Sequence, residues 1–542
     1  MDPLWPPRCG TSLSDGVSRL ARAALVGACL AGALVATADG APAPDLIAAG
    51  RRLYREGRLP SGALVAAHVE GDVPIDGGQF TCQSCHRRSG MGTSEGGRVV
   101  PALAGPLLFA PDAQRARPAY TEELLARALR SGVDAAGRHL DPLMPRYDVS
   151  DADVASLAAY LRLIGSRASP GTENDTLRFA TVVADDVPPA VQQAMLDVLN
   201  AYFSEKNAQT RQEARRSLVP HAPRQALNPY LAWSLDVWRL SGPPQAWRAQ
   251  MEARYRERPA FALISGAASG PWGPVHDFCE DNQVPCLLPN TDLPPASESG
   301  YYSLYFSGGL RLEAEILAGD IAQGQVGTEV VQVLGRGDPR AAFAAAALEE
   351  ALGRRGGRAR RLVIDGDAEG AFELRPMLES GASAVVLWLP AATIRQVAPP
   401  LSARTAPHLY FSSGLLGGDW SAVPERLRDR SSVVHLLRLP SERDPPLERY
   451  RAWARGRGLR VAAEGLQAQT YFACLAAGDG SKHLGRFPFR EFFLDLLDHD
   501  AGLTAYLPLY PRGTQGPGQR FLARGGYVVD LSHRREPRWV VP

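Results

Sequence analysis

Apolar positions follow two different textures along this 542-residue chain, and the change between them falls near position 165. Before it they recur at helical spacing. Leu46, Ile47, Ala49, Gly50, Leu53 and Tyr54 share one face, Leu124, Leu125 and Ala128 a second, and Val154, Leu157, Ala158, Leu161 and Leu163 a third. Thr121 stands at the N-cap of a helix running to Leu129, and Ser150 with Asp153 forms a capping box at the start of another. Residues 45–165 therefore read as a compact, mostly helical unit. The stretch 166–176, with Ser166, Ser169, Pro170, Gly171 and Asn174, reads as a linker. Beyond it, strand-like runs at Leu177–Val183, Ala262–Ser265, Val330–Leu334, Arg361–Ile364, Ala384–Leu389 and Leu409–Ser412 alternate with helical stretches at Ala190–Phe203, Leu310–Ala322 and Arg340–Leu352. Such alternation predicts parallel sheets covered by helices on both faces. No internal repeat or low-complexity tract stands out.

The N-terminus adds a compartment. Arg19 and Arg22 precede an apolar run from Ala23 to Val35, and Ala36-Thr37-Ala38 offers a small-x-small cleavage site, so residues 1–38 read as an export signal and the mature chain starts near Asp39. The competing reading makes Cys29 the lipid-bearing first residue of a lipoprotein. The run is shorter than the roughly 20 residues that span a bilayer, and no later stretch comes close, so the mature chain is expected to be periplasmic without a transmembrane segment. The formal charge is +1, which provides no basic field for nucleic acid. Arginine greatly outnumbers lysine, with Lys206 and Lys482 the only lysines.

Candidate chemistry concentrates at Cys82-Gln83-Ser84-Cys85-His86. Two thiols at CxxC spacing can each add to a vinyl group of one haem while the adjacent histidine ligates the iron from the proximal side. A zinc or redox CxxC is the rival, but no second Cys or His pair stands nearby to complete a tetrahedral site. One covalent haem c is therefore expected, and export agrees with it. For the sixth ligand Met144 is the choice, because Pro142 and Pro145 stiffen its loop and present the thioether. His68, His139 and Met91 remain open as rivals. The helix with Leu53-Tyr54, the CxxCH, Pro101, Met144-Pro145 and the Tyr160-Leu161 helix occur in the order of class I cytochromes c, which residues 45–165 resemble. The resemblance implies an all-α haem domain and a second-shell role for Pro101, whose carbonyl would hold the other nitrogen of His86. The stretch Arg58–Phe80 is a departure, since many relatives have only a few residues there. A Met/His pair saturates the iron and favours one-electron transfer over oxygen or peroxide chemistry.

In the larger part, Cys279 and Cys286 flank a short polar loop that an oxidising compartment could close with a disulfide, whereas Cys474 sits in an apolar run as an inert thiol. The strand Phe261–Gly266 running into Ala267-Ala268-Ser269, the segment Cys279–Asn290, and Gly525-Gly526-Tyr527-Val528-Val529 resemble type I periplasmic binding proteins, the group of the branched-chain amino acid receptors. That resemblance implies two α/β lobes over 177–542 with a small ligand clamped at strand C-termini. Ser269, Asn290, Thr291 and Asp338 are then the cleft candidates, with Asp365 a further one. Ordinary turn and cap chemistry accounts for the same residue types. Gly335-Arg336-Gly337-Asp338 lacks the third glycine of a dinucleotide turn and the Lys-Ser/Thr of a phosphate loop. There is no GxSxG or HExxH either, so no enzyme is expected.

The expectation as a whole is a multidomain protein, an all-α cytochrome c domain followed by a two-lobed α/β binding-protein domain. It would carry electrons from a periplasmic dehydrogenase or to another cytochrome. The alternative is a haem-containing receptor that senses redox state or gas and reports to a transporter or signalling partner. A haem enzyme is the third reading.

Overall fold

The computed structural model describes residues 44–69, 72–95, 97–173, 175–217, 231–295, 300–323, 328–365, 382–397, 407–499, 504 and 507–542. The export segment 1–38, with Cys29 and its cleavage site, lies outside the described residues. Among them no helix is long and apolar enough to cross a membrane.

The N-terminal unit is built on helices Pro44–Glu56, Cys82–His86, Gly105–Leu108, Glu122–Ser131 and Asp151–Leu163. Their starts follow the caps anticipated. Thr121 Oγ1 accepts from the Leu124 N–H, and Ser150 and Asp153 cap each other reciprocally. The first and last helices cross in close contact because Gly50 has no side chain; a Cβ there would lie 2.0 Å from the Ser156 carbonyl oxygen. Tyr54 and Tyr160 seal the same crossing with ring centroids 5.5 Å apart.

This unit is not all-α. The inserted stretch folds as strands β1 (Ala66–Val69) and β2 (Val73–Asp76) and is followed by β3 (Thr93–Glu95), β4 (Arg98–Val100) and β5 (Arg146–Tyr147). β1 pairs antiparallel with β2 on one side and with β5 on the other, placing Ala67 opposite Tyr147 and His68 opposite Arg146. Strands form here because the period-two alternation of Ala66 to Val69 turns Ala67 into the core and His68 out to solvent. Helical spacing in the rest of the unit hid that hairpin.

The remainder holds two seven-stranded sheets. The first comprises β6 (Thr172–Glu173), β7 (Thr176–Ala184), β8 (Ala232–Leu240), β9 (Ala262–Ile264), β10 (Cys286–Leu287), β11 (Ser303–Ser307) and β17 (Phe521–Ala523), ordered β17-β11-β10-β9-β7-β6 with β8 also on β7. The second takes β12 (Glu329–Gly335), β13 (Arg358–Ile364), β14 (Ala384–Trp388), β15 (His408–Ser412), β16 (Ser431–His435), β18 (Gly526–Asp530) and β19 (Arg538–Val540). Its order is β13-β12-β14-β15-β16-β18-β19, parallel as far as β16 and antiparallel after it. The chain thus passes between the sheets after β11, after β16, and between β17 and β18. The predicted runs all fall on strands. β8, whose alternation is broken by Asp236 and Arg239, and the short β10, β11, β16 and β17 carried too little pattern to be read as strands.

Candidate functional site

His86 closes the short Cys82–His86 helix, and Thr81 fixes its first turn by accepting from the Ser84 N–H. The helix ends at Arg87, whose φ of 67° turns the chain sharply away after the histidine. The buried His86 ring is oriented by a 2.8 Å contact between Nδ1 and the Pro101 carbonyl oxygen, so Nδ1 carries the proton and Nε2 is left with a lone pair. Burial pushes this histidine down to about 4, against the Pro101 bond. A neutral imidazole aimed by a backbone carbonyl is the form that ligates a metal.

Leu53, Gly57, Val65, Phe80, Cys82, Leu129, Tyr147, Val149 and Leu157 line an apolar cavity. Burial drives the Cys82 thiol up to about 12, whereas Cys85 is exposed. Met144 is partly buried and packs on the same cluster as Cys82, Leu53 and Tyr147, while His68 and His139 are exposed and Met91 is half-buried on the loop that follows His86. The hairpin missed in the sequence supports this wall. β5 begins two residues after Met144, and the Tyr147 hydroxyl donates to the Phe80 carbonyl at 2.9 Å just ahead of Cys82. One thiol in an apolar wall, a second, exposed thiol three residues on, an oriented imidazole and a thioether packed on the same cluster are the donor set that would hold a covalent haem. The zinc reading has no support from neighbours: among the described residues no three His, Cys, Asp or Glu side chains gather to hold a metal.

The cleft candidates sit at strand ends of both sheets. Exposed Ser269 is occupied by Asp186, its N–H donating to Oδ1 at 3.0 Å and its hydroxyl to the Asp186 carbonyl at 3.1 Å. Thr291 Oγ1 accepts from the Leu293 N–H, and Asp338 caps helix Pro339–Gly353 by accepting from the Arg340 and Ala341 N–H groups. Asp365 is paired with Arg336 at 2.7 Å. Asn290 differs, because its Nδ2 donates to Ser265 Oγ and Thr470 Oγ1 while its Oδ1 is buried without a hydrogen-bond partner. Two residues not singled out beforehand bring the sheets together: Arg340 donates to Asp292 at 2.5 Å and to the Gly414 carbonyl at 3.1 Å. Their adjacency to Thr291 and Asp338 was the available signal. Glu313 was also missed. It is fully buried, and Ser412 Oγ and the Gly414 N–H both donate to its carboxyl.

The anticipated Cys279–Cys286 disulfide is absent: both cysteines are buried and free, with a hydrogen bond between their side chains. The segment between them is not an open polar loop. Helix Gly273–Asp281 carries Cys279, and the Val284 N–H donates to the Cys279 carbonyl at 2.8 Å, which closes the turn without a covalent link. Cys474 is buried, and burial raises its thiol far above the ordinary range.

Residues 78–164 match the cytochrome c family. A domain of this family carries covalently bound haem c. Among solved structures, the leucine-binding protein LivK of Thermotoga maritima is 12% identical, with a TM-score of 0.45 over 68% of this chain and 98% of its own. A fatty acid ABC transporter substrate-binding protein of Thermomonospora curvata is 14% identical, with a TM-score of 0.45 over 69% and 94%. A solute-binding protein of R. palustris crystallised with benzoate is 11% identical, with a TM-score of 0.45 over 68% and 96%. No curated protein matches the sequence. The chain thus joins a segment that matches the cytochrome c family to an α/β module built on two seven-stranded sheets.

Proposed function

We propose that the chain is a periplasmic one-haem electron carrier fused to a two-lobed module for a small ligand. In this reading Cys82 and Cys85 form the thioethers, His86 is the proximal ligand with Pro101 behind it, and Met144 is the distal ligand. The observation that carries it is the His86 ring, neutral and aimed by Pro101, four residues after Cys82, which lines an apolar cavity and packs on the same cluster as Met144. When bound, the haem supplies the one-electron couple. The residues of this chain hold it, exclude water from its face and keep the proximal ring from turning. A periplasmic dehydrogenase or a second cytochrome is the matching partner.

For the ligand module, Asn290 with its unpartnered Oδ1, together with Ser269, Thr291 and Asp338, forms the proposed floor of the cleft. Leucine, a fatty acid and benzoate, the ligands named for the structures to which the chain is similar, are the first compounds to test by thermal shift and calorimetry. The haem reading is tested by denaturing the exported protein and washing it with acid acetone. A retained red colour with a pyridine haemochrome spectrum is expected, and complete loss of colour overturns it. Carbon monoxide binding by the reduced protein at neutral pH would instead favour the gas-sensing receptor.

A further inference from the structure

The loop that leaves His86 does not end in solvent. It is seated on helix Arg490–His499 of the α/β module, some 400 residues away in sequence. The Ser89 N–H donates to Asp495 Oδ2 at 2.9 Å, and Arg87 donates to His499 Nε2. His499 is itself aimed, its Nδ1–H donating to the Asp495 carbonyl at 2.7 Å, and its Nε2 also meets Thr93 Oγ1 at 3.1 Å. Between Arg87 and Ser89, the Arg88 guanidinium lies over the Tyr301 ring at 4.0 Å and reaches Tyr302 at 5.4 Å. The Tyr301 hydroxyl closes the circuit by donating to Asp495 Oδ1 at 2.8 Å. From the haem side, Tyr54 donates to the Arg87 carbonyl at 2.6 Å, so the loop is gripped from both modules.

One turn further along the helix the network meets a buried ion pair. Arg520 donates to Asp498 at 2.8 Å, with the two side chains 2% and 5% exposed. Arg520 precedes β17, from which the chain crosses to β18 and the second sheet. Burial raises the Asp495 carboxyl above the ordinary range, and the bonds from Ser89 and Tyr301 to its two oxygens, with Arg87 close by, oppose that shift. In its ionised form this carboxylate would favour the more positive, oxidised state of a haem held at His86, and the same hydrogen bonds fix the loop that follows His86.

We infer that Asp495, with Tyr301 as its partner, is a positioning residue for the haem, so that the redox potential is set partly by the binding-protein module and not by residues 78–164 alone. This inference rests on the haem reading above. Nothing in the spacing of CxxCH points to it, because the contact joins residues distant in sequence.

The test uses the full exported protein. Wild type must first give a pyridine haemochrome; if it does not, the haem reading fails and not this inference. Midpoint potential, haem content and melting temperature are then measured for Asp495→Ala, Asp495→Asn and Tyr301→Phe. Asp495→Ala is expected to keep its covalent haem and to raise the potential by about 59 mV or more, a tenfold change in the one-electron equilibrium. Asp495→Asn, which keeps an acceptor but loses the charge, should fall between it and wild type. Tyr301→Phe should move the potential in the same sense by less. A purely structural contact would lower the melting temperature and leave the potential alone. Wild-type potentials in all the variants that fold with haem overturn the inference, and if Asp495→Ala does not fold, the other two decide it.

Discussion

Individual side chains divide into those legible from their neighbours in sequence and those defined by what folds around them. Met144 is of the first kind. Its loop prolines marked it, and it packs where Cys82 packs. Met144→Ala should keep the covalent haem, lose the weak near-infrared sulfur-to-iron band, and lower the midpoint potential by roughly 59 mV or more, tenfold in the redox equilibrium. Unchanged spectra and potential would return the ligand role to Met91 or a histidine. Glu313 is of the second kind, a carboxyl amid an apolar helical run that burial pushes up to about 8 against the bonds from Ser412 and Gly414. An unfolded glutamate ionises near 4.3, so above that pH the unfolded state has released a proton that the native state still holds. Stability therefore falls as pH rises, until the native group also ionises near 8. Glu313→Gln should remove this slope. Urea titrations at pH 5 and pH 8 should show the variant gaining about 2 to 4 kcal/mol on wild type between them, and parallel behaviour of the two proteins would contradict the burial argument.

At the level of elements, the β1–β2 hairpin is the main addition to the haem unit. It occupies the stretch that lengthens the chain between the first helix and CxxCH, and it pairs with the strand that follows Met144. The insertion is therefore a buttress for the Met144 loop, and exposed His68 lies on the face turned away from the core. Tyr147 joins the two walls through its bond to Phe80. Tyr147→Phe should cost about 1 kcal/mol in denaturant unfolding, the usual net value of such a bond, and should make the sulfur-to-iron band vanish at a lower pH as the Met144 loop loosens. If the band persists to the same pH, the hairpin does not support the loop. The helices were easier to anticipate than this sheet, because a 3.6-residue period and a capping box are local signals. A two-residue strand such as β5 exists only through its pairing.

For the whole molecule, helix Arg490–His499 acts as a keystone. Buried Arg490 donates to the carbonyls of Phe261, Asn282, Gln283, Pro170 and Ala260 and to the Tyr255 hydroxyl, and its own N–H donates to Ser169 Oγ of the linker. The segment read as a linker is thus pinned to the first sheet at the residues Ser169 and Pro170. Arg490→Met would leave those carbonyls unpaired and should cost about 3 kcal/mol or more. Calorimetry is expected to show one cooperative transition in wild type, and a separated, earlier transition of the α/β module in the variant. An unaltered single transition would mean that the contacts around Arg490 do not bind the modules together.

The chain's own order of residues determined the covalent chemistry, the helical wrapper and the change to an α/β texture, since thiol spacing, caps and periodicity act over a few positions. Tertiary structure alone decided that the strand after Met144 pairs with a hairpin, that Cys279 and Cys286 meet as thiols at a helix-to-strand turn, and that Asp495 and Arg490 meet the loop after His86 and the segment at Ser169 and Pro170. Those outcomes depend on burial and on partners that folding brings together, from seven residues apart for Cys279 and Cys286 to 406 for Ser89 and Asp495. A single carboxylate or guanidinium in a sequence carries no mark of the donors, acceptors and apolar walls that folding will set around it.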